Sequence, residues 1–257
     1  RLICTTKQSL NRLKTKMMKL NVFLHLFERR FMEIVPTNNE VNMSSVTLTM
    51  HPENPDLRKI YKIVEALREG AVILYPTDTG FALGCALDNK AAAERIRALR
   101  RLPDSKSMTF LCDSLSNISE YAKVSNKAYK TIKGLIPGPY TFILPASKLV
   151  PKLAQDPKKK TTGIRVPNDI LSQTLLKSLK APMISISAKN DNLVDHFTDP
   201  EAIIKEFRNQ VDIVAIADEY HFVGESTVID MTTDEFVISR HGAGIDKVFE
   251  FVDTDEE

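Results

Sequence analysis

Two rhythms of apolar residues organise the chain from about residue 55 onward. Ile60, Ile63, Val64 and Leu67 recur at three- and four-residue spacing and predict a half-buried helix over 55–69. Asn54, Pro55 and Asp56 supply its cap and a first-turn proline, and Gly70 ends it. Val72 to Tyr75, closed by Pro76, and Phe81 to Leu87 are short apolar runs of the kind that form core strands. A second helix is predicted over 89–102, with Ala92, Ile96 and Leu99 inward and Arg97 and Arg101 one turn apart on another face. A strand near 108–112 follows. A single helix over 117–133 is then marked by Tyr121, Val124, Ala128 and Ile132 before Gly134. Tyr140 to Leu144 and Thr161 to Arg165 are expected strands. Leu171 to Leu179 is an expected helix capped by Asn168 or Asp169, and Met183 to Ser187 a further strand. Asp199 and Pro200 open a helix toward Phe207, and strands at 211–217, 226–230 and 235–239 close the pattern.

Strands separated by helices require a sheet with helices packed against it, so the fold class is α/β. Most crossovers are long enough to be parallel connections, while the short links between the closing strands favour antiparallel pairing. No internal repeat or linker divides the body, although Pro151 to Lys160 has the composition of an exposed loop. The expected organisation is a basic extension over 1–44, one domain over 45–245 and an acidic tail over 246–257.

A length of 257 residues allows one large domain or two small ones, and 43% apolar with 26% charged residues is the composition expected of a soluble globular protein. The net charge of +2 is unevenly spread. Residues 1–31 hold eight Lys or Arg against the single acid Glu28, which leaves the remainder at about −5. The body is therefore not a generic polyanion binder, and any RNA or DNA role needs a local basic patch. Arg12, Lys14, Lys16 and Lys19, followed by Val22, Phe23, Leu24, Leu26 and Phe27, fit either an organelle-targeting helix or a translated leader. No apolar run approaches the roughly twenty residues needed to cross a bilayer. Cys4, Cys85 and Cys112 are too few and scattered for a disulfide framework, which favours a reducing, cytoplasmic setting.

Candidate chemistry gathers at strand ends. Pro76-Thr77-Asp78-Thr79-Gly80 offers two hydroxyls, a carboxylate and a glycine after a core strand, although the same residues also make ordinary turns. Arg100, Arg101 and Lys106 surround Pro103 and can hold an anion through forked and point-charge donors, or form a solvated basic face. Pro137-Gly138-Pro139 shapes a rigid turn. Arg165 lies between apolar neighbours in Gly163-Ile164-Arg165-Val166-Pro167, so it must reach an edge of the core or pair with an anion, and it is the foremost phosphate-contact candidate. Ser185 and Ser187 share one side of an alternating strand and are followed by Lys189 and Asn190; Ser226, Thr227, Arg240 and His241 stand at later strand boundaries. The sequence carries neither a Gly-x-x-x-x-Gly-Lys phosphate loop nor a dinucleotide fingerprint. The five histidines stand alone, and no metal-ligand spacing is present.

In this order, Pro76-Thr77-Asp78-Thr79, Leu83-Gly84-Cys85, Pro137 to Thr141, Arg165-Val166-Pro167, Pro182 to Ala188 and Ser226-Thr227-Val228 resemble the YrdC/YciO family, over about Asp56 to Ala243. The resemblance implies a single twisted mixed-sheet domain with a concave electropositive ligand cavity. Synthases of this family join L-threonine, bicarbonate and ATP, carried with Mg2+, into L-threonylcarbamoyl-adenylate and pyrophosphate, an early step in modifying tRNA. By resemblance, Thr77, Thr79, Arg100 and Ser187 would serve catalysis, and Arg165, Ser185, Ser187, Lys189, Ser226 and Arg240 would hold the nucleotide. Departures are specific. The synthases' Lys-x-Arg-Pro is Arg100-Arg101-Leu102-Pro103 here, their Ser-x-Asn is Ser187-Ala188-Lys189, and Phe81 and Ala82 replace a tyrosine and a glycine. These departures resemble the YciO branch. Two alternatives stand beside the synthase reading. One is a double-stranded RNA or tRNA binder using Arg97, Arg100, Arg101, Lys106, Arg165 and Lys189. The other is a hydrolase or sensor of an adenylate-like ligand.

Overall fold

The computed structural model describes residues 45–189 and 199–251, which belong to one compact unit, Met43–Glu257. The basic extension over 1–44, Asn190, His196 and the last acidic residues, 252–257, lie outside the described residues. Among the described residues, ten strands form one mixed sheet in the order β1, β8, β2, β3, β7, β4, β6, β5, β9, β10. They are β1 Val46–Met50, β2 Ile73–Thr77, β3 Gly80–Ala86, β4 Phe110–Leu111, β5 Tyr140–Pro145, β6 Thr161–Arg165, β7 Met183–Ser187, β8 Ile213–Ala217, β9 Thr227–Asp230 and β10 Val237–Arg240. The helices are α1 Leu57–Arg68, α2 Lys90–Leu99, α3 Leu115–Tyr121, α4 Asn126–Leu135, α5 Ile170–Leu179, α6 Pro200–Phe207 and α7 Ile245–Phe249.

Parallel pairing is less common than expected. β1 with β8, β8 with β2, β4 with β6 and β5 with β9 are parallel, while the other neighbours are antiparallel. Two of the antiparallel pairs come from β7, which inserts between β3 and β4, the strands that α2 joins in sequence. β9 and β10 pair antiparallel, as their short link requires.

Several boundaries differ from the sequence reading for identifiable reasons. The cap of α1 is Asp56, whose carboxylate accepts from the Arg58 amide at 2.9 Å, so Pro55 precedes the helix and is buried there. Pro76 continues β2 rather than closing it. β8 pairs only with Ile73 and Leu74, so no ladder bond on that side needs the missing proline N–H. The single helix expected over 117–133 is two helices, because Ala122 is extended at φ −140° and bridges Ala146. Lys123 N donates to the Pro145 carbonyl at 2.9 Å, and Ser125 then caps α4 by accepting from Ala128 N at 3.2 Å. β1 escaped notice although Val46, Leu48 and Met50 alternate with Thr47 and Thr49. The loop expected over 151–160 contains a 3-10 turn, Lys152–Ala154, whose Ala154 is buried.

Alternation sends successive residues of each strand into different layers. Val72, Leu74, Leu83, Phe110, Phe142 and Ile164 join the cluster that also holds residues of α2, α3, α4, α6 and α7. Ile73, Tyr75, Leu111, Met183 and Ile213 pack with Ile60, Ile63, Val64 and Leu67 of α1 and Leu171, Leu175 and Leu176 of α5. Each of these fully buried aliphatic side chains contributes about 1.5–3 kcal/mol of transfer free energy. No helix among the described residues is long and apolar enough to cross a membrane.

Candidate functional site

The face packed by α1 and α5 is only partly covered, and a cavity of about 510 Å3 lies over the rest of it. Its floor follows from the same alternation. Thr141 and Ile143 of β5, Thr161, Gly163 and Arg165 of β6, and Val228 and Asp230 of β9 line the cavity, while their neighbours Phe142, Ile164 and Ile229 enter the opposite core. All nine residues singled out by resemblance line this one cavity: Thr77, Thr79, Arg100, Arg165, Ser185, Ser187, Lys189, Ser226 and Arg240. Lys106 and Lys159 add two more cations, against the acids Asp156, Glu225 and Asp230.

The tight hairpin between β2 and β3 presents the first group. Thr77 Oγ1 donates to the Gly80 carbonyl at 2.7 Å and accepts from Thr79 N at 3.1 Å. Gly80 takes φ +112°, which an L side chain disfavours. Arg165 is 6% exposed and reaches this hairpin from β6. Its Nη1 donates to Thr79 Oγ1, its Nη2 pairs with Asp78 Oδ1, and its Nε donates to the Gly138 carbonyl at 3.3 Å. The anion that Arg165 needs is therefore internal, and the turn shaped by Pro137-Gly138-Pro139 holds the third donor. Asp78 is the partner of Arg165 rather than a separate ligand group. Asp169, the cap of α5, stands behind it and accepts from Asp78 N at 3.3 Å. Burial and the neighbouring Asp78 charge push the Asp169 carboxyl up to about 6.

On β7, Ser185 Oγ accepts from the Tyr75 hydroxyl at 2.9 Å. Burial holds that phenol well above its ordinary range. Ser226 Oγ lies 2.9 Å from Thr141 Oγ1 and accepts from Arg240 Nη2 at 2.9 Å. Glu225 joins two predicted nucleotide ligands: Lys189 Nζ pairs with its Oε1, and Arg240 Nη1 with its Oε2 at 3.2 Å. Burial and the nearby Arg165 charge pull the Arg240 guanidinium below its usual range. Arg100 Nη1 donates to the Lys189 carbonyl, tying the helix end to the end of β7. Leu102 also lines the cavity.

The six cations of the duplex-RNA reading do not form one exposed strip. Arg165 is buried against Asp78, and Arg97 Nη1 donates to the Pro103 carbonyl at 2.6 Å. Sequence reasoning missed Glu225, Lys159, Thr109 and Asp230, and read Asp169 only as a helix cap. A period-two reading of the polar residues on β5, β6 and β9 finds Asp230, but the two carboxylates that neutralise or crowd the cations act across distant strands. Among the described residues, no group of three or more His, Cys, Asp or Glu is placed to hold a metal ion. Cys85 and Cys112 are buried, and burial pushes the Cys85 thiol up to about 12.

Fold and site together describe a mixed α/β domain with a polar, cation-lined trough across one face of its sheet. The chain belongs to the Sua5/YciO/YrdC family, whose model, described as "Telomere recombination", matches residues 65–242. Within the family it sides with the YciO branch. It is 43% identical to Escherichia coli YciO over 200 residues, covering 78% of this chain and 97% of that one. The E. coli YciO crystal structure superposes with a TM-score of 0.72, over 80% of this chain and 99% of that chain. A threonylcarbamoyl-AMP synthase from Vibrio vulnificus is 25% identical over 69% of this chain and 96% of its own. P. abyssi Sua5, solved complexed with L-threonine, matches at a TM-score of 0.72 and 25% identity, over 81% of this chain and 62% of that one.

Proposed function

We propose that the trough binds an adenine nucleotide by its phosphates and that the protein forms L-threonylcarbamoyl-adenylate from L-threonine, bicarbonate and ATP. The observation that carries this reading is the meeting of all nine resemblance-derived residues in one cavity, although they come from six separate stretches of sequence. Its volume of about 510 Å3 is within the 300–1,000 Å3 range usual for small-molecule sites. The family likeness to a Vibrio vulnificus threonylcarbamoyl-AMP synthase and to a threonine-bound Sua5 favours the same substrates.

The reaction requires a threonine-derived carbamate oxygen to attack the α-phosphorus and pyrophosphate to leave. Negative charge then grows on phosphoryl oxygens, where preorganised N–H and O–H donors lower the barrier most. Thr79, Ser187, Ser226, Arg100, Arg165 and Arg240 supply donors of this kind. At two positions the supply differs from the synthase pattern: Leu102 offers no guanidinium, and Lys189 offers an ammonium already paired with Glu225. Turnover is therefore expected to be slower than in a synthase with arginine and asparagine there. The test is threonine-dependent pyrophosphate release by the full chain with Mg2+, ATP and bicarbonate, with the adenylate identified by mass. Pyrophosphate release that ignores threonine, or none at millimolar substrates from folded protein, would remove the synthase reading.

A further inference from the structure

Tyr75 of β2 is fully buried in the cluster packed by α1 and α5, and it does not line the trough. A phenol enclosed in this way has to give its proton to an acceptor, because an unpaired buried hydroxyl is costly. Its acceptor is Ser185 Oγ on β7, at 2.9 Å, with β3 lying between the two strands. Reaching it takes a gap in that middle strand. Tyr75 stands opposite Ala82, and Ala82 opposite Ser187, so Ser185 is displaced along β7 from the position straight across. Gly84 is the residue opposite Ser185, and a Cβ there would stand 2.8 Å from Tyr75 Cε1. The ring therefore leans across β3 on the bare backbone of Gly84, over the roughly 9.5 Å that separates two strands flanking a third.

The direction of this bond fixes what Ser185 can offer. A serine hydroxyl has one proton and two lone pairs. Burial holds the phenol well above its ordinary range, so Tyr75 keeps its proton and remains the donor at neutral pH. With one lone pair taken by Tyr75, Ser185 keeps its own proton for another acceptor. No other group among the described residues hydrogen-bonds to its Oγ. Ser185 lines the trough, so the trough is the side left open to that proton.

We propose that Tyr75 is a positioning residue: through Ser185 it sets a hydroxyl donor aimed into the trough, which selects an acceptor oxygen on the ligand. The inference rests on the ligand-binding reading of the trough given above, and on the strand-crossing geometry for the role itself. Tyr75 touches no ligand and acts only through Ser185. A donor aimed in advance needs no reorientation as negative charge gathers on a ligand oxygen, which is what makes preorganised groups effective. The same arrangement gives Gly84 its reason, since any side chain there would push the ring off its path to Ser185.

The test is a double-mutant cycle read by calorimetric titration of the full chain with Mg2+-ATP and, separately, with L-threonine. Tyr75→Phe keeps the ring over Gly84 and removes only the phenol hydroxyl, Ser185→Ala removes the serine hydroxyl, and a third variant carries both changes. Each single variant is expected to bind ATP about three- to tenfold more weakly, the worth of one neutral hydrogen bond. Adding Tyr75→Phe to Ser185→Ala should change the affinity by less than about 1.5-fold, because without the serine hydroxyl the phenol has nothing to position. A ring that only supports the fold would lower stability in urea and weaken binding by the same factor with or without the Ser185 hydroxyl. That equality, or wild-type affinity in Tyr75→Phe, overturns the proposal. Should wild type bind L-threonine but not ATP, with the same non-additivity, the positioning role stands and the nucleotide reading falls. Binding of neither ligand by folded wild type overturns both.

Discussion

Arg165 shows how much one buried cation organises. Its guanidinium joins the Asp78 and Thr79 hairpin to the Gly138 turn, so it shapes the trough while it lines it. Removing one partner of a buried pair leaves the other charged and unsolvated, at a cost of about 3–5 kcal/mol. Arg165→Ala should therefore lower stability by that amount in urea denaturation, and a loss below about 1 kcal/mol would show that the pair is solvated. Asp169 gives a second expectation, in pH. Its folded value of about 6 lies above the ordinary 3.8, so the native state holds this proton more firmly than the unfolded chain. The contribution is fully present below about 3.8 and is lost as pH rises through about 6, by at most about 3 kcal/mol. Asp169→Asn retains a capping side chain and should show a shallower decline in stability from pH 4 to 7 than wild type. Parallel pH profiles for the two proteins would rule out a strained carboxyl at this position.

At the scale of elements, most helices and strands were legible because their apolar residues repeat with the right period. The break in the helix expected over 117–133 has another cause, backbone partners distant in sequence. Nothing local in residues 117–133 announces that Ala122 will bridge Ala146, or that Lys123 will donate to Pro145. Ser125 marks the restart, since its hydroxyl caps α4 and donates to Asp234 Oδ1 at 2.6 Å. Ser125→Ala should cost about 1 kcal/mol in thermal or urea unfolding. No change would mean that the break between α3 and α4 is held by the backbone bonds alone.

Across the whole molecule, the ordered motifs brought the family and its mixed α/β fold within reach of sequence alone, and the nine proposed site residues do converge. The charge pattern inside the site was not legible, because Asp78 meets Arg165, and Glu225 meets Lys189 and Arg240, only once the sheet is assembled. This changes which residue best reports on the ligand. Arg165 is too deeply tied to the fold, whereas Arg240, with 42% of its side chain exposed, joins Ser226 and Glu225 at the trough wall. The central claim, that the trough holds nucleotide by its phosphates, is tested most directly by calorimetric titration of Mg2+-ATP into wild type and Arg240→Ala. The account predicts saturable binding that weakens about tenfold in the folded variant, the worth of one charge-assisted hydrogen bond. Equal affinity in the two proteins, or no binding to wild type at millimolar ATP, would contradict it.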